Sequence, residues 1–144
     1  MSARLEQDLY RAFEQSDRPV LSRASLNPLR GQGSDPYEAH HKAAVLLHKV
    51  EGLRPLLRDL IQAKYGRRQA AFAALCLSVE ERHALPAGCG KYFAAHWLRL
   101  KGRPQLKDLV GTVAAHKSTI SKKCRKIELD LDGLNRLALE QLSA

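Results

Sequence analysis

The stretch 105-QLKDLVGTVAAHKSTISKKCRKI-127 decides how the rest of the chain is read. Apolar residues stand at Leu106, Leu109, Val110, Val113, Ala115, Ile120, Cys124 and Ile127, with small residues from Gly111 to Ala115. The three- and four-residue spacing is that of helices. Two helices crossing at a short turn need small residues near the crossing and apolar residues facing each other. The spacing therefore predicts a helix-turn-helix over 105–131, whose second helix starts at Lys117. Ile120, Cys124 and Ile127 then share one side, the buried one.

The opposite side is basic. All five charges between Lys117 and Lys126 are positive, and Glu128, Asp130 and Asp132 follow at once. Lys117, Ser118, Ser121 and Lys122, with Thr119 among them, point outward near the helix start, where recognition helices reach base edges. Lys123, Arg125 and Lys126 lie further back and suit phosphates. Lysine donates to guanine acceptors and hydroxyls serve several bases, at about 1–3 kcal/mol of discrimination per good contact. From the charge run alone, the competing reading is a solvated lysine-rich helix.

Outward from this stretch the punctuation is that of an all-α chain. A first helix carries Leu5, Leu9 and Phe13 on one stripe, and 18–35, with two Pro, two Gly and three Ser, reads as a loop with freedom to move. Asp35-Pro36-Tyr37-Glu38 reads as a capped helix start with Pro at the first position. Ala39, Ala43, Leu46, Leu47 and Val50 form that helix's apolar side, and Gly52 ends it. Pro55 opens a leucine-rich helix stopped by Gly66. Over 67–103, an Ala-rich helix from Gln69 to Leu77 precedes a capping-box start at Ser78-Val79-Glu80-Glu81. After a break at 85–90, a last helix of this layer runs from Lys91 to Lys101, with Phe93 and Trp97 assigned to the core.

The 144 residues make one domain, or a small core with an appended segment. Lys plus Arg number 24 against 15 Asp plus Glu, for a net +9 and a pI near 9.8, which favours polyanionic partners. Residues 67–103 hold seven basic side chains against two acidic. Cys76, Cys89 and Cys124, odd in number and widely spaced, fit reduced thiols and a cytoplasmic location. The first residues carry acids and no apolar run, so neither a secretory signal nor an anchor is expected, and no stretch reaches membrane-span length. Cys76, His83, Cys89 and His96 lack the paired spacing of structural zinc sites, so no metal or cofactor is expected. Gly90-Lys91 fails as a phosphate loop, because Leu85 and Tyr92 occupy the flanking motif positions. Glu80 and Glu81 read as first-turn charges, and His40, His41 and His48 have no nearby nucleophile. An enzyme is not expected.

The 105–127 stretch resembles bacterial helix-turn-helix regulators and sigma factor region 4, departing at Ala114, where those have a turn Gly, and at His116, where they have a Ser or Thr cap. DPYEAHHKAAVLLHKV, LRPLLRDLIQAKYG, the helix-turn-helix and IELDLDGLNRLALEQL come in an order similar to the phage 21 branch of the Q antitermination proteins of lambdoid phages. That resemblance covers about 35–66 and 104–140, with 67–103 as a longer insert. It implies an all-α helical bundle with a C-terminal sigma region 4-like helix-turn-helix, in which 1–34 are an N-terminal helix and loop and 35–144 the DNA-binding domain. It also implies a late-gene antitermination factor that binds double-stranded DNA, loads onto bacterial RNA polymerase paused with its sigma factor, and suppresses pausing and termination, with the option of two protomers pairing on the DNA. Two alternatives stand beside it: a conventional helix-turn-helix activator or repressor, and a basic helical protein-interaction module that binds no DNA.

Overall fold

The computed structural model describes residues 2–17, 36–103 and 117–144, and over them the chain is all-α. The helices are α1 (Ser2–Asp17), α2 (Pro36–Glu51), α3 (Pro55–Gly66), α4 (Gln69–His83), α5 (Gly90–Leu98) and α6 (Lys117–Ser143). The loop at 18–35, the Asp35 cap, and the first helix and turn of the expected helix-turn-helix, with Ala114 and His116, lie outside the described residues.

Apolar stripes at helical spacing put one face of each helix into a shared core. Leu9 and Phe13 of α1, Val50 of α2, Leu57, Leu60 and Ile61 of α3, Leu75 and Val79 of α4, Phe93 of α5, and Ile120, Ile127 and Leu131 of α6 are all buried in it. The N-terminal helix is part of this core: α1 packs on α2, α3 and α6. The α4–α5 layer, within the stretch read as an insert, packs on α3 and α6. Burying a large aliphatic side chain contributes about 1.5–3 kcal/mol, so this common interior is what fixes the helices to one another.

One buried polar group ties three helices. Asn135 of α6 is buried, and its carboxamide lies 3.2 Å from the Tyr65 hydroxyl of α3, which donates to Glu6 of α1 at 2.8 Å. The single hydroxyl proton faces two acceptors, Glu6 Oε1 and Asn135 Oδ1, the shorter contact being to Glu6. Burial and the Glu6 hydrogen bond both push the Tyr65 ionisation upward, keeping it neutral.

Some local expectations need correction. Ser78 does not start a helix, because α4 runs unbroken from Gln69 to His83 and the buried Leu75, Cys76 and Val79 hold both halves on one face. Glu80 caps the next helix instead: its carboxylate accepts from the Gly88 and Gly90 amides at 3.2 and 3.0 Å. α3 does end at Gly66, and the left-handed residue that follows is Arg67 (φ 50°). Gly66 is small because a Cβ there would meet the Phe13 ring at 2.6 Å. The Lys91–Lys101 helix is shorter than read, since Arg99 turns left-handed (φ 54°) and Leu100 donates back to the Ala95 carbonyl. Glu38 pairs with Lys42 at 3.2 Å, one turn on within α2.

Candidate nucleic-acid interface

Helix α6 is 27 residues long, or about 40 Å at 1.5 Å per residue. Its rotation is fixed by a continuous seam of Ile120, Cys124, Ile127, Leu131, Leu134, Ala138 and Leu142, all buried. The buried side expected for Ile120, Cys124 and Ile127 is the one found. With the seam inward, Thr119, Ser121, Lys122, Arg125 and Lys126 are exposed and Lys123 is half-buried. Lys117 and Ser118 open the helix, and only their backbone is described.

The acids that follow the basic run are turned sideways and engaged. Asp130 receives Arg82 through Nε (2.9 Å) and Nη2 (2.7 Å), and His83 Nε2 lies 2.9 Å from the same carboxylate. The Arg82 hydrogen bonds hold the Asp130 carboxyl below the usual carboxylate range, assisted by His83 and opposed by burial. Asp132 accepts from the Trp97 indole at 2.8 Å, and Lys64 sits 4.8 Å from the centre of that ring. Glu128 lies against the Cys124 thiol. Trp97, assigned to the core, is half-buried and keeps its polar edge on α6, whereas Phe93 is wholly buried. Among the described residues, no acidic side chain pairs with Lys122, Lys123, Arg125 or Lys126.

Arg82 and His83 at the end of α4, with Ala84, meet Lys123, Lys126 and Asp130 around an open cleft of about 430 Å³. The basic side chains of α6 thus adjoin the Arg82–Asp130 ion pair at the end of α4. Sequence reasoning missed Arg82 and His83, whose basic pair in the last turn of α4 looks like an ordinary response to the helix dipole. Nothing in the pattern links them to a residue 48 positions later.

The remaining polar candidates are accounted for within the fold. Burial, with Glu80 second, pushes the Cys76 thiol up to about 11, and burial, with Glu128 second, does the same for Cys124. Both therefore stay protonated at neutral pH, as poor nucleophiles. Gly90 is small because a Cβ there would run into the Cys76 carbonyl oxygen. Among the described residues no group of three or more His, Cys, Asp or Glu is placed to hold a metal ion, and no helix is long and apolar enough to cross a membrane.

A face of lysine, arginine and hydroxyl groups on a rigid, core-anchored rod can donate many hydrogen bonds to phosphate oxygens and to base edges. Comparison with protein families, with curated proteins and with solved structures finds no match to this chain.

Proposed function

We propose that this chain is a DNA-binding transcription regulator that places the first three turns of α6 against a duplex, and that it acts as a late-gene antitermination factor on RNA polymerase. Supporting the DNA-binding part is one observation above the others. Lys122, Lys123, Arg125 and Lys126 lie together on one stretch of α6, and among the described residues no acid pairs with them. A phosphate backbone would supply the anions these cations lack, with release of counterions. Within this reading Ser121 and Lys122, with Lys117, Ser118 and Thr119, face the bases, and Lys123, Arg125 and Lys126 take phosphates. Arg82 extends the phosphate track onto α4.

The antitermination part rests on the resemblance of 35–66 and 104–140 to the phage 21 branch of Q proteins, and it names the polymerase with its sigma factor as partner. Transcription with purified bacterial polymerase on a late-promoter template carrying successive terminators tests it. Read-through that persists past the distal terminators is expected. An effect confined to initiation would make the chain a conventional activator or repressor instead.

A further inference from the structure

The outward side of α6 carries a pattern of which the DNA-binding reading uses only the first residue, Lys126. Leu129 is 59% exposed and Leu137 36% exposed, four residues either side of Gly133. A glycine within a helix costs about 1 kcal/mol relative to alanine. Among the described residues nothing requires it here, since a Cβ at Gly133 would meet no atom within 4 Å. Lys126 and Glu140, both exposed, flank the two leucines on the same side. The series Lys126, Leu129, Gly133, Leu137, Glu140 is spaced 3, 4, 4 and 3 residues apart, and so reads the same in both directions about Gly133.

We infer that this face of α6 docks a second copy of the chain, the two α6 helices crossing antiparallel at Gly133. A two-fold axis through that crossing makes the contact self-complementary. Leu129 packs on Leu137 of the second copy, Lys126 meets its Glu140, and the paired glycines let the backbones approach. Crossing at the common angle of about 50° for helices packed along their i±4 ridges leaves the helix ends splayed and free. Charge complementarity selects a second copy over an unrelated partner, because the residues opposite Lys126 and Leu129 under this symmetry are the chain's own Glu140 and Leu137.

The pairing stands independently of DNA binding. Its consequence for DNA rests on the reading proposed above: Ser121 lies twelve residues before Gly133, so the two copies of Ser121 are separated by roughly 33–36 Å. That matches the spacing of about one duplex turn between the half-sites of dimeric helix-turn-helix proteins.

Sedimentation equilibrium of the full chain without DNA tests the pairing. A concentration-dependent dimer is expected. Lys126→Glu and Glu140→Lys should each raise its dissociation constant about tenfold, and the double exchange should restore it. Gly133→Leu, which improves helix propensity and so keeps the fold, should yield a monomer with an unchanged circular dichroism spectrum. A monomer at every concentration, or a dimer indifferent to all four variants, would overturn the inference whether or not the chain binds DNA.

Discussion

Arg82 grips Asp130 through two nitrogens, at 2.9 and 2.7 Å, and this contact ties the end of α4 to the outer side of α6 just past the basic run. The pair is partly exposed, with 39% of the arginine side chain and 24% of the aspartate open to solvent. Its stabilisation is accordingly modest, about 1 kcal/mol at most.

Asp130→Asn is expected to lower the urea midpoint at neutral pH and to strengthen duplex binding, because it frees Arg82 and removes a negative charge beside Lys126. Asp130 is held below its ordinary range, so its contribution is fully present above the unfolded carboxylate value of about 4. It is lost as pH falls through the lower folded value. Urea melts of wild type and variant should differ at pH 7 and converge as pH falls through the lowered folded value of Asp130.

The hydrogen-bonded trio of Glu6, Tyr65 and Asn135 is a second test of the fold. Tyr65→Phe removes the hydroxyl shared by α1, α3 and α6 and leaves the buried Asn135 amide without that partner. A loss of about 1–2 kcal/mol in equilibrium unfolding is expected, with the helical spectrum retained.

Most of the architecture was legible because the apolar spacing did not compete with other signals. Pro55 and Gly52 bound their helices where they were read, and the seam of Ile120, Cys124 and Ile127 faces inward. The errors share a cause: local signals outranked by contacts between distant segments. Ser78-Val79-Glu80-Glu81 has the composition of a capping box, yet Glu80 caps a helix that begins ten residues later. Gly66 does end α3, but it and Gly90 are also small because Phe13 and the Cys76 carbonyl occupy the space a side chain would need, which the sequence does not reveal. Left-handed termini at Arg67, Ala84 and Arg99 carry no sequence signature, since none is Gly or Asn. At the candidate site the α6 side chains were readable from periodicity. Arg82 and His83 were not, because only tertiary packing brings them to Asp130.

Those left-handed termini are improvable. Ala84 adopts φ 51° just past α4, where a Cβ is strained by roughly 1–2 kcal/mol and glycine is not. Ala84→Gly is expected to stabilise the chain by about 0.5–1 kcal/mol, part of the gain being offset by the looser unfolded chain. A higher thermal midpoint checks it.

Gly90→Ala should act in the opposite sense. The added methyl meets the backbone oxygen of Cys76, which cannot yield without separating α4 from α5, so a loss of about 2 kcal/mol or more is expected in denaturant unfolding.

The central claim is that α6 meets DNA through its basic N-terminal turns, and fluorescence anisotropy of a labelled duplex titrated at several salt concentrations tests it most directly. Each phosphate contact contributes about 0.9 to the slope of log affinity against log salt. Lys122→Ala, Arg125→Ala and Lys126→Ala combined should weaken binding and reduce the slope by about 2–3, while Lys49→Ala, exposed on α2, should leave both unchanged. A triple variant with wild-type affinity and slope, or a wild-type chain that ignores duplex DNA at low salt, would contradict the account.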